Sequence, residues 1–148
     1  MPIRRVVTGH SSDGKAVVAS DSEIDGFRPR LFAGRAFHAL WGGDTAPTYP
    51  DDGSPPPHSG WFPPLGGFRF LAATLAPASD APPAVAAADQ AAAVAEMEAL
   101  APGLLAVMEP DTAGMHTTDT IDFIYVISGE VVMELDDGAE VRLGAGPQ

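Results

Sequence analysis

A chain of 148 residues has room for one ordinary domain and one core, not for two independent ones. With no cysteine, a disulfide framework, a thiolate metal site and a cysteine nucleophile are all excluded. A formal net charge of -12 argues against nucleic acid, whose phosphates require a basic surface, and no apolar run approaches the roughly 20 residues of a membrane span. Met1-Pro2-Ile3-Arg4-Arg5 leads into only two valines before polar residues begin, which is not a signal peptide. A soluble cytoplasmic protein is therefore the expectation, with neither nucleic acid nor membrane among its partners. Six of the eight Lys and Arg fall within residues 1–35, so a mildly basic arm precedes an acidic body. Fifteen prolines and sixteen glycines favour strands and turns over helix.

In chain order, Arg4–Gly9 and Ala16–Ser20 are short β-rich runs on either side of Ser11–Lys15, where Asp13-Gly14 suits a tight hairpin. Ala36–Trp41 reads as a strand stopped by Gly42-Gly43, so residues 1–43 form an N-terminal hairpin and strand. Residues 44–64 carry the run Pro55-Pro56-Pro57 and cannot sustain a hydrogen-bond ladder, which predicts a long surface loop or lid. A strand follows within 65–76, with Phe68, Phe70 and Ala72 on one face and Pro77 closing it. Within 80–103, Ala84–Leu100 is strongly helix-prone, with Asp80 and Pro82-Pro83 as its start and Pro102-Gly103 as its end. This alanine-rich helix is expected to be a peripheral insertion outside the pocket, with a polar substitution at Val94 costing stability alone.

Residues 104–148 are the most regular. Ile121–Ser128 is an apolar β run broken by Gly129, Val131–Leu135 resumes it, Asp136-Asp137-Gly138 turns it, and Glu140–Leu143 begins another strand. Three such strands make a meander that has to close on upstream strands or on another chain. Ahead of it, His116, Thr118, Thr120 and Asp122 share one face of an extended segment, and Phe123, Tyr125 and Ile127 share the other. Either this strand has one wet face, or the polar row points into a barrel where imidazole and carboxylate serve as ligands or as an acid–base pair.

The block Gly114–Gly129 resembles the first motif of the cupin superfamily, in which a His-x-His pair, a Glu and a closing Gly lie on two strands of a small barrel. His116 stands at the first His, Asp122 at the Glu and Gly129 at the Gly, while Thr118 replaces the second His. More narrowly, the block is similar to a bacterial group of cupins with His-x-Thr and Asp at these places. The resemblance implies a mostly β fold: a cupin-like double-stranded β-helix, or jelly-roll, barrel in a single domain spanning 1–148, with one Ala-rich helical insertion. The second cupin motif does not follow Leu143–Gly146, so the barrel is expected to be incomplete at the C-terminus and to dimerise or exchange strands through its open edges.

Two functional readings follow. In the first, the chain is an enzyme of lyase, isomerase, decarboxylase or dioxygenase type acting on a small metabolite, with His116 and Asp122 as catalytic residues and Thr118, Thr120 and Trp41 lining the pocket. In the second, it is a ligand-binding module without turnover. A divalent metal ion is the cofactor the resemblance allows, but His116 and Asp122 are two donors where stable sites use three or four, so weak, exchangeable binding is expected. His10 beside the hairpin turn, His38 on an aromatic strand and His58 in the proline loop each have a structural explanation. Nucleophile elbows, phosphate loops and dinucleotide fingerprints are absent.

Overall fold

The computed structural model describes residues 1–77, 80, 84–110 and 114–146. Pro82, Pro83, Pro147 and Gln148 lie outside them. The described chain is mostly β, arranged as three two-stranded antiparallel sheets. Strand β1 (Ile3–His10) pairs with β2 (Ala16–Ile24). The connecting turn forms where Asp13-Gly14 predicts it: Gly14 adopts φ +80°, and Ser11 accepts from Gly14 N at 2.8 Å and donates to Lys15 O at 2.9 Å through their backbones. Both strands run longer than their β-rich cores because a bulge between Val7 and Thr8 absorbs one residue of β2 and lets pairing continue to Ile24.

The second sheet pairs β3 (Arg35–Gly43) with β4 (Phe68–Leu75). Its register skips Leu40, between Ala39↔Leu71 and Trp41↔Phe70, so this residue has no ladder partner. A bridge between Phe27 and Phe37, with N–H···O distances of 2.9 and 3.0 Å, ties the segment after β2 to β3. The proline-rich residues 44–64 contain no strand or helix, as expected. Their packing on the hairpin is close: His10 N donates to Asp51 O at 2.7 Å, and a Cβ on Gly53, already at φ +78°, would sit 2.6 Å from Ala19 Cβ.

Helix α1 (Gln90–Leu100) is preceded by a 3-10 turn at Ala87–Asp89, so it starts later than its alanine composition suggests. At its end Gly103 adopts φ +80° and donates its N–H to Glu98 Oε1 at 3.0 Å. The helix is not peripheral. Ala93 and Met97 face inward at i, i+4 spacing, and Ala101 and Leu104 continue the stripe. Met97, Ala101 and Leu104 form the buried cluster against which Phe27, Leu31, Phe32, Trp61, Phe62, Leu105 and Met108 pack. Glu96 Oε2 accepts from both the backbone N and Nε of Arg30 at 3.1 Å, fastening the helix to the turn Arg30–Phe32. Val94, expected to matter, is 40% exposed because small alanine side chains let only one narrow stripe reach the aromatic residues.

Strands β5 (Glu130–Glu134) and β6 (Glu140–Gly144) pair with each other across a turn in which Asp137 and Gly138 adopt φ of 59° and 72°. Ile121–Ser128, expected to be the first strand of a meander, joins no ladder. The meander is therefore a two-stranded hairpin, and no sheet closes into a barrel among the described residues. The physical reason is lack of cover. Apolar alternation makes a strand only where another strand accepts its backbone hydrogen bonds, and here Ile121, Phe123, Tyr125 and Ile127 are each at least 80% exposed. No described helix is long and apolar enough to cross a membrane.

Met97→Ala should destabilise the chain by about 2–5 kcal/mol through transfer and cavity terms. Val94→Ser should stay within about 0.5 kcal/mol, as surface substitutions do. Urea unfolding followed by circular dichroism checks both, and equal losses at the two positions would contradict the assignment of the core face.

Candidate functional site

The polar row identified in the sequence is only partly assembled. Period-two alternation holds for three of its members: the Thr118 and Thr120 hydroxyls lie 2.7 Å apart, and Thr120 Oγ1 donates to Asp122 Oδ1 at 3.2 Å. His116 belongs to a different local structure. It bridges to Met108, and beside this bridge Glu109 N donates to Met115 O at 2.9 Å and Thr117 N to Val107 O at 3.1 Å. Its ring stacks on Phe62 at 5.5 Å, and Nδ1 lies 3.4 Å from Gly114 O. His116 and Asp122 are both exposed and make no mutual contact among the described residues. Nor does any described group of three His, Asp or Glu side chains come together as a metal would need.

The other histidines each make a contact to a backbone carbonyl. His38 is buried, with Nε2 3.0 Å from Met1 O beneath Gly26, where a Cβ would collide with the imidazole. His10 Nδ1 lies 3.0 Å from Asp51 O and its ring meets Tyr49 edge-on at 4.8 Å. His58 stays in the loop, exposed, with Nδ1 3.3 Å from Pro56 O. Trp61 is core, set edge-on to Phe27 at 5.6 Å and to Phe37 at 5.8 Å.

Trp41 faces a cleft of about 530 Å³ between β1 and the β3–β4 pair. Alternation builds its walls. Ile3, Arg5 and Val7 are the half-buried face of β1, whereas Arg4, Val6 and Thr8 are exposed. Phe68 and Phe70 share the matching face of β4, and Phe70 pairs across the sheet with Trp41. Gly43 leaves the space that Phe68 occupies, since a Cβ there would lie 3.2 Å from the phenyl ring. Two arginines of β1 line this mostly apolar cleft, Arg4, which pairs with Asp21, and Arg5. The Arg5 guanidinium sits 5.0 Å from the Trp41 ring centre, and its Nη1 donates at 3.0 Å to the carbonyl of Leu40, the residue freed by the bulge. Arg5 Nε is buried and donates to no acceptor among the described residues.

The end of the β3–β4 sheet nearest the cleft is fixed by Arg69, whose side chain is only 7% exposed. Arg69 donates to Asp44 Oδ1 at 2.7 Å, to Gly60 O at 2.9 and 3.1 Å, to Gly43 O at 3.0 Å and to Phe68 O at 2.9 Å. That guanidinium holds the Asp44 carboxyl below the ordinary carboxylate value, chiefly through its hydrogen bond. A second, smaller depression of about 330 Å³ is walled by Asp44, Pro56, Pro57 and His58 of the same loop.

Sequence reading placed Trp41 at a pocket but put its companions at Thr118 and Thr120, which do not line this cleft. Arg5 and Arg69 were missed. The available signal was the same in both cases: a cation on a strand between large apolar neighbours, Ile3 and Val7 for Arg5, Phe68 and Phe70 for Arg69. Comparison with family models, curated proteins and solved structures returns no significant match.

Because the folded-state pKa of Asp44 is depressed, its contribution to stability is fully present above the unfolded value of about 4 and is lost as pH falls through the folded value. Asp13, Asp21, Asp52 and Glu96 are depressed too and act with the same sign. The Tm should therefore fall as pH drops below about 4. Asp44→Asn should lower the Tm at neutral pH and make this acid slope shallower; an unchanged slope would mean that the pair does not stabilise the fold. Arg69→Met, which strands several carbonyls at once, should cost about 3 kcal/mol or more.

Proposed function

We propose that this protein is a small-molecule-binding domain on a cupin-type β scaffold, and that the ligand lies against Trp41 in the cleft between β1 and the β3–β4 pair. One observation carries the reading: about 530 Å³ of concave space between Ile3–Thr8 of β1 and Leu40, Trp41, Phe68 and Phe70, mostly apolar, whose charged groups are Arg4, paired with Asp21, and Arg5. Small-molecule sites have this composition, with a mostly apolar wall and few polar groups that fix orientation, and span about 300–1,000 Å³. A half-buried tryptophan flanked by phenylalanines supplies contact area at low entropic cost.

A second reading rests on the Thr118–Thr120–Asp122 hydrogen-bond chain, which ends on a carboxylate. In a covered site such a chain would deliver a proton to Asp122 or remove one from it, with His116 as the partner base, and the activity would be of lyase, isomerase, decarboxylase or dioxygenase type. The binding reading is preferred because its walls are in place, whereas Asp122 and His116 are exposed and apart.

The neutral probe 3-phenylpropan-1-ol, followed by the indole N–H signals of Trp41 and Trp61, discriminates between the two. The expected result is a saturable shift at Trp41 alone, with affinity, measured by titration calorimetry, falling at least tenfold in Trp41→Ala. Binding that survives this change and is lost in Asp122→Asn would transfer the site to the Gly114–Asp122 segment.

A further inference from the structure

We propose that the ligand of the Trp41 cleft is a small amphipathic carboxylate, an apolar aryl or alkyl body bearing one negative charge, and that Arg5 is the residue that reads the charge. The inference rests on the binding reading above and adds to it the chemical class of the ligand.

Arg5 is set apart from most of the chain's other cations. Arg4 pairs with Asp21, Lys15 with Asp13, Arg30 with Glu96, Arg69 with Asp44 and Arg142 with Glu130. Among the described residues no carboxylate pairs with Arg5, although the chain holds 20 acidic residues and a net charge of -12. A half-buried cation left unpaired in such an acidic protein has a compensating charge still to come. Its immediate neighbour shows the contrast: both arginines line the cleft, but Arg4 is exposed and bidentate to Asp21, while Arg5 is on the half-buried face of β1 beside Trp41 and pairs with no carboxylate.

The guanidinium is also oriented. Stacking on Trp41 at 5.0 Å and donation from Nη1 to Leu40 O at 3.0 Å hold its plane. These contacts leave Nε, itself buried, and Nη2 without an acceptor among the described residues, so the guanidinium keeps donor capacity that a carboxylate entering beside it would use. One guanidinium matches one negative charge. The lining of Ile3, Val6, Val7, Leu40, Phe68 and Phe70 offers an apolar body its contacts, and the other cation there, Arg4, is already paired with Asp21. Leu40, which the register skips, has no ladder partner, and its carbonyl is the acceptor that positions Arg5.

The test compares 3-phenylpropanoate with 3-phenylpropan-1-ol on the full chain at neutral pH, reading the Trp41 indole N–H shift. The carboxylate should bind at least tenfold tighter than the alcohol. Arg5→Gln should weaken carboxylate binding at least tenfold more than alcohol binding, and Arg5→Lys, which keeps the charge and loses the paired donors, should fall between. Equal affinities of the two probes for the unaltered protein would overturn the inference while leaving the binding reading intact, and this comparison needs no variant to fold. If neither probe shifts Trp41, the binding reading fails and the inference fails with it.

Discussion

The guanidinium of Arg69 is the interaction on which the arrangement of this molecule depends. A loop as rich in proline as residues 44–64 lacks many of the N–H donors that would pair its own carbonyls. Arg69 supplies some of them from one buried position, reaching the Gly60 and Phe62 carbonyls and the Asp44 carboxylate of the loop together with the Gly43 and Phe68 carbonyls of the sheet. Gly42 makes room for it, since a Cβ there would lie 2.8 Å from Arg69 Cδ. The loop is thereby bound to the end of the β3–β4 sheet, and Trp41, Phe68 and Phe70 keep their places.

From that fixed end the loop runs to the core. Trp61 N donates to Pro102 O at 2.9 Å and its indole enters the Phe27–Phe37 cluster, so the loop that Arg69 anchors also seals the C-terminal end of α1. Helix, loop and sheet are joined through aromatic residues, with Met97 filling the irregular space among them. This explains how an alanine-rich helix can be central. Its small side chains let the backbone approach closely, and the partner side supplies the bulk.

Charge placement follows burial. Exposed ion pairs such as Arg4–Asp21 add little in water, whereas the two arginines withdrawn from solvent each have a defined role. Arg69 is fully engaged by oxygen acceptors, and Arg5 is engaged on one side only. The difference between them separates a residue that builds the cleft from one that can still take a partner within it.

Turns and local alternation were legible in the sequence because they depend on a few adjacent residues. Gly14, Asp137-Gly138 and the Pro102-Gly103 helix end follow from backbone preference, and the shared face of Thr118, Thr120 and Asp122 follows from the strand period. Whether an apolar run becomes a strand is decided elsewhere in space, which is why Ile121–Ser128 had the pattern of one and no ladder to join. The same holds for the face of α1 that reaches the core, which alanine composition leaves open. Arg5 and Leu40 are 35 residues apart, and Arg69 and Gly43 are 26 apart. The sequence by itself determined the β-rich class, the turns and the irregular loop, through local conformational energies. Only the tertiary structure decided where the cations go and which aromatic residue lines a cleft, because those outcomes depend on contacts between residues far apart in the chain.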